Sequence, residues 1–225
     1  MRFVHSLWLG FGLAIVLLVA ATAPASAQVV LTFEGLRNLE PVLNYYNGGL
    51  GGFGSGPGPN YGITFGADAL ALIDLDAGGT GNFGGEPSPD TIVFFRSGPG
   101  VVMNVPAGFS TGFSFYYTAP LYTGTVEIYD GLNATGTLLA SIPLPLTPYN
   151  GAPDPTGNFS PLVPFGVSFS GVARSVNFGG VADYIGFDNI TLGSQTPGGA
   201  IPEPTTLVLF AGGLGAVLGA RRRTR

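Results

Sequence analysis

Glycine and proline set the first limit on this chain, at 38 and 19 of its 225 residues. In a helix interior each Gly costs about 1 kcal/mol relative to Ala and each Pro about 3. A chain punctuated this densely cannot sustain helices of ordinary length, and between residues 28 and 200 no window carries an apolar stripe at the helical period. What recurs instead is short runs rich in Val, Ile, Phe, Tyr and Thr, bounded by Gly, Pro, Asn and Asp, the pattern of strands and turns. Candidate strands fall at 29–33, 62–65, 69–75, 91–95, 101–105, 112–118, 124–129, 138–142, 166–170, 175–178 and 184–192. Several alternate with the two-residue period of a half-buried strand: Phe113, Phe115 and Tyr117 share one face, as do Val126 and Ile128, and Val176 and Phe178. The expected fold is all-β, a jelly-roll-like sandwich of two packed antiparallel sheets. Residues 47–60 and 77–85 are nearly all Gly, Pro and small polar residues and read as surface loops, and the proline-rich stretch 143–164 reads as an extended crossover between sheets or an edge-covering loop.

Both ends of the chain stand apart from this pattern. Residues 1–27 combine Arg2 and His5, an apolar run from Leu7 to Ala21, and the small-residue triplet Ala25-Ser26-Ala27. This is the order of a secretory signal peptide, with signal peptidase cutting after Ala27 and leaving Gln28 as the mature N-terminus. At the other end come Pro202-Glu203-Pro204, the uncharged run 205–220, and then Arg221, Arg222, Arg223 and Arg225. As a helix the run spans roughly 24 Å at ~1.5 Å per residue, close to the ~30 Å of a hydrocarbon core once local thinning is allowed. The arginine cluster is expected to stay cytoplasmic, with the preceding domain on the far side. The two prolines cannot lie inside a helix, so they mark an extended break just outside the membrane.

Pro202-Glu203-Pro204, a short apolar helix and a terminal arginine cluster, in that order, resemble the PEP-CTERM sorting signal of exported bacterial proteins. The resemblance implies that a membrane-embedded protease, an exosortase, recognises the motif and removes the tail, and that the product reaches the cell surface or the medium. An unprocessed tail anchor is the alternative. The implied organisation is a signal peptide (1–27), a β-domain (28–195), a spacer (196–200) and a sorting signal (201–225) whose helix at 205–220 holds the protein in the membrane until it is cut. Stretches such as 166–193 also resemble a recurrent domain of PEP-CTERM proteins, one with Gly and aromatics at its turns and no catalytic residues.

Charge and side-chain inventory exclude several functions. Within 28–200 only Arg37, Arg96 and Arg174 face twelve acids, a net −9 with no Lys, which offers no footprint for nucleic acid. There is no Cys, so no disulfide holds the domain, and His5 is the one histidine. The G-x-S-x-G match at 108–112 therefore lacks a base to activate its serine. The G-x-G-x-x-G matches at 49–54 and 79–84 run into more Gly and Pro, where a dinucleotide site needs a helix. Three N-x-S/T sequons, at Asn133, Asn158 and Asn189, read as coincidental in an Asn- and Thr-rich bacterial chain. Asp74-Leu75-Asp76 opens like a calcium loop but has Gly at positions five and twelve, leaving at most a weak ion site beside Glu86 or Asp90.

Two carboxylates lie in otherwise apolar strands at opposite ends of the domain, Glu34 and Asp188. An unpaired buried carboxylate costs several kcal/mol, so each is expected to be exposed, paired or bound to a cation. The arrangement resembles secreted carbohydrate-binding jelly-roll modules, whose first and last strands are neighbours and share a structural Ca2+. The resemblance makes Glu34 and Asp188 candidate calcium ligands; pairing with Arg37 or Arg174 is the alternative. Tyr45, Tyr46, Phe53, Tyr61 and Tyr122 are candidates to stack on sugar rings or to cap the core. The expected function is a non-catalytic surface or matrix protein associated with extracellular polysaccharide or biofilm. A lectin-like module with structural calcium is the second reading, and a glycoside hydrolase drawing two carboxylates from Glu34, Glu86, Glu127 and Asp90 is the third.

Overall fold

A computed structural model describes residues 28–150 and 157–198. The expected signal peptide and transmembrane helix, the Pro-Glu-Pro motif and the arginine cluster lie outside the described residues. The strands are β1 (Val29–Leu31), β2 (Thr64–Phe65), β3 (Ala69–Ile73), β4 (Thr91–Phe95), β5 (Gly100–Thr118), β6 (Gly124–Tyr129), β7 (Leu138–Leu144), β8 (Val163–Gly179) and β9 (Gly186–Leu192). Every strand pairing is antiparallel and the described residues contain no helix, so the all-β expectation holds.

The sheet runs in the order β3-β4-β9-β5-β8-β6-β7, with β1 added to β9 and β2 to β5. Two strands make it continuous. The expected strands 101–105 and 112–118 are one strand, β5, and 166–170 and 175–178 are one strand, β8. Pro106 and Gly108 read in sequence as a break, but they sit in an irregularity of the β5–β8 ladder between Asn104 and Thr111. Extra residues at such bulges bend a strand without ending it. The N-terminal part of β5 pairs with β2, its C-terminal part with β9, and both parts pair with β8. The ladder thus folds over on itself, and the two halves share these long strands.

The core lies between the two halves. Phe113 and Phe115 of β5 and Phe187 of β9 face Phe178 of β8, with Phe178–Phe187 centroids 4.9 Å apart and Phe115–Phe187 5.5 Å. All four rings are at most 2 % exposed. Truncating one of them to Ala would cost about 3–5 kcal/mol, since close-packed neighbours relax only partly into the hole. β4 reads Thr-Ile-Val-Phe-Phe and is buried on both faces. Val93 and Phe95 join the main core, while Ile92 joins a second cluster with Phe83 and Leu162 on the opposite side of the sheet. An uninterrupted apolar run is what a strand covered on both faces requires.

The expected pairing of first and last strands is present: β1 lies against β9 with Leu31 opposite Ile190. The loops are more ordered than their composition suggests. Residues 196–198, read as the start of a free spacer, fold back, with the Gly198 amide donating to Thr191 Oγ1 at 3.0 Å and Pro197 buried.

Candidate functional site

Three features concentrate polar chemistry, and the first is the pair flagged in the sequence. Asp188 is fully buried. Its carboxylate accepts from the Ser88 amide (3.1 Å), the Ser88 hydroxyl (2.7 Å to the nearer oxygen) and the Asn189 amide (2.6 Å). Asn189 has a left-handed backbone (φ 45°) at the irregularity where the β5–β9 register shifts. Half-buried Glu34 accepts from the amides of Asp90 (3.1 Å) and Thr91 (2.9 Å) and from the Thr91 hydroxyl. Both carboxylates thus grip one short segment, Ser88 to Thr91, that leads into β4. Neither pairs with an arginine: the guanidinium groups of Arg37 and Arg174 donate to the carbonyls of Phe53 and Pro106. The donor set does not fit a shared Ca2+, because N–H and O–H hydrogens already point at all four oxygens. Among the described residues no group of three or more His, Cys, Asp or Glu could hold a metal ion. Burial pushes the Asp188 carboxyl up to about 7; bonds from Ser88 and Asn189 pull it back, and the nearby Glu34 charge adds to the rise.

The second feature escaped the sequence reading. Glu40 is fully buried and accepts from the amides of Arg37 (2.7 Å), Phe53 (2.8 Å) and Ser55 (3.0 Å) and from the Ser55 hydroxyl. It is the hub of the glycine-rich loop 47–60. Gly51 crowds it so closely that a Cβ there would lie 2.5 Å from Glu40 Oε1, and a Cβ on Gly52 would lie 2.8 Å from the neighbouring Pro41. Burial pushes the Glu40 carboxyl up, but the bonds from Ser55, Arg37 and Phe53 outweigh it and hold it below the usual carboxylate range. A lone Glu among small residues gives no periodic signal, and its partners lie 13 and 15 residues away.

The third feature is a cleft of about 210 Å³ on the side of the sheet away from the main core. Leu72, Ile92 and Phe94 form its floor, Phe83 and Phe159 its wall, and Thr80, Asn82, Arg96 and Asp183 its polar rim. Arg96 lies over the Phe94 ring at 5.8 Å. Its Nε is 3.8 Å from Asp183 Oδ1, and both side chains are half-exposed.

The aromatic candidates divide. Tyr45 and Tyr46 belong to the core, and the Tyr46 hydroxyl accepts the Phe33 amide at 2.6 Å. Phe53, Tyr61 and Tyr122 are exposed. Of the acids considered for hydrolysis, Glu127 stands on β6 and accepts from the Tyr129 hydroxyl. Glu86 is half-buried, and desolvation, with the charges of Asp74, Asp76 and Asp90 adding to it, raises its carboxyl to about 7. The serine of the G-x-S-x-G match lies inside β5, not on a strand-turn-helix elbow.

Residues 200–223 match the PEP-CTERM protein-sorting motif. The chain carries an exosortase sorting signal. It is therefore an exported protein, anchored in the membrane before processing and destined for the cell surface or beyond. No curated protein matches the chain. Among solved structures, the K3 cleaved adhesin domain of Lys-gingipain from Porphyromonas gingivalis w83 is 14 % identical, with 73 % of this chain and 90 % of that chain covered and a TM-score of 0.33. That overlap is too loose to bear on topology or function.

Proposed function

We propose that the protein is a non-catalytic component of the cell surface or extracellular matrix, which associates with extracellular polysaccharide after exosortase has removed its tail. The observation that carries this reading is the sorting motif at residues 200–223. The β-domain suits such a role: it is acidic and lacks Cys, and we read its folded-over sheet as a jelly-roll-like sandwich that presents loops rigidly. Signal peptidase and exosortase are the processing partners, acting after Ala27 and at Pro202-Glu203-Pro204. Replacing that triplet by alanines removes the extended break in front of the membrane helix. The expected result is an unprocessed form that stays in the membrane fraction, whereas mass analysis of the unmodified protein finds a C-terminus shortened near the motif. Trimming and release of the triple-alanine protein at the unmodified rate would remove the basis of the proposal. A lectin-like role is the second reading, favoured by the cleft rimmed by Arg96 and Asp183.

A further inference from the structure

Arg96 differs from the other two arginines of the β-domain. Arg37 and Arg174 donate to backbone carbonyls, but Arg96 makes no hydrogen bond among the described residues. Its separation of 3.8 Å from Asp183 exceeds the 2.7–3.2 Å of an N–H···O bond. The guanidinium and the carboxylate thus stand side by side with their directional donors and acceptors unspent, at the mouth of an apolar cleft. Asp183 is held there by a left-handed backbone (φ 67°) and by its amide, which donates to the Phe95 carbonyl at 2.9 Å. Asn82 faces the same mouth; its side-chain oxygen accepts the Asn158 amide, so its NH2 group remains to donate.

The aromatic rings continue outward from the cleft. Phe159 in the wall is 6.3 Å from Tyr184, and Tyr184 is 4.8 Å edge-on from Tyr122, whose ring is exposed. A cleft of about 210 Å³ is below the ~300–1,000 Å³ of sites for drug-sized ligands and suits one ring-sized group. A ligand filling it needs one apolar face for Phe159, adjacent hydroxyls that can both donate to Asp183 and accept from Arg96, and a continuation along Tyr184 and Tyr122. The acidity of the domain, net −9, disfavours an anionic ligand.

We infer that this cleft binds one pyranose of a neutral polysaccharide, with the adjoining sugars lying over Tyr184 and Tyr122. The inference rests on the polysaccharide association proposed above and gives it a site. Pyranoses offer what the cleft asks for, since the C–H face of the ring stacks on aromatics while its equatorial hydroxyls bridge an acceptor and a donor set side by side. Both side chains are half-exposed, so the ligand's hydroxyls exchange their water contacts for direct bonds, each with a modest net gain.

The test is electrophoresis of the full-length chain, in detergent, through native gels cast with a neutral β-glucan or with alginate as the anionic probe. Retardation is expected in the glucan gel and not in the alginate gel. Arg96→Ala and Asp183→Asn are each expected to weaken the glucan association about tenfold or more, and Tyr122→Ala by a few-fold. All three side chains are exposed, and Asn tolerates the left-handed backbone at 183, so melting temperatures should match the unmodified protein. Glucan retardation unchanged in both Arg96→Ala and Asp183→Asn would overturn the cleft while leaving polysaccharide association standing. Retardation by alginate alone would overturn the neutral assignment. Free migration of the unmodified protein in both gels would overturn the cleft and the polysaccharide association together, leaving the sorting signal untouched.

Discussion

Glu40 and Asp188 are both fully buried acids that tie a loop to the sheet, yet their carboxyls shift in opposite directions. Burial is the largest influence on each and disfavours the charged form. Glu40 offsets it with donors from three residues, Arg37, Phe53 and Ser55. Asp188 has donors from two, Ser88 and Asn189, and a like charge nearby in Glu34. Deeper placement within the fold, one fewer backbone amide and one added negative neighbour separate the carboxylate that resists its charge, Asp188, from the one that prefers it, Glu40. The Glu40 loop is held by an ion, whereas burial makes the fold favour a protonated Asp188 even though the bonds from Ser88 and Asn189 favour its charge.

The largest effect should come from deleting the first hub. Glu40→Ala leaves the buried Ser55 amide and the part-buried amides of Arg37 and Phe53 without their acceptor, a loss of roughly 4 kcal/mol. At ~2–4 °C per kcal/mol for a domain of this size, the melting temperature should fall by roughly 8–16 °C. Limited proteolysis should then cut first within 47–60, whereas cutting first near 88–91 would show that the hub was misplaced.

The second effect tests the opposite signs. Asp188 has a native pKa near 7, above its ordinary 3.8, so the native state binds more protons between those values. Stability should decline as pH rises from about 4 to about 7 and level off above, with a total change of roughly 3–4 kcal/mol. Glu86 is raised too and contributes a smaller decline in the same window. Asp188→Asn should flatten most of the slope, read as melting temperature against pH. The Glu40 contribution runs the other way: it is complete above the ordinary value of 4.5 and disappears as pH falls below that range. A melting temperature that rises steadily from pH 4 to 8 would contradict the contrast.

The smallest effect concerns calcium. With the four oxygens of Glu34 and Asp188 facing hydrogen-bond donors, EDTA should leave the melting temperature unchanged. A fall of several degrees that excess Ca2+ reverses, and that Glu34→Gln abolishes, would restore the cation as the shared clip.

The sequence disclosed the strands through alternation at Phe113, Phe115 and Tyr117, while the adjacency of the first and last strands was implied by the resemblance to jelly-roll modules; Glu34 itself lies in a turn beyond β1. It did not disclose that β5 and β8 run through their glycines, because Pro106, Gly108 and Gly171 are the residues that ordinarily end a strand. Glu34 and Asp188 were recognisable as carboxylates needing partners, but Ser88 is 100 residues from Asp188, a separation over which local pattern carries nothing. The rim of the cleft was equally hidden, since Asn82, Arg96 and Asp183 come from three separate connecting segments.

β9 is the last strand before the sorting tail, and it is an interior strand: β5 flanks it on one side, and β4 and β1 on the other. Once the fold-back of residues 196–198 onto Thr191 is released, a pull on the tail is transmitted to β9 and loads these ladders in shear, so many hydrogen bonds must rupture together. Had the tail left from an edge strand such as β7, the same force could have unzipped the sheet one bond at a time. A domain wired in this way can stay folded under mechanical tension while its far side is held and its tail is still seated in the bilayer.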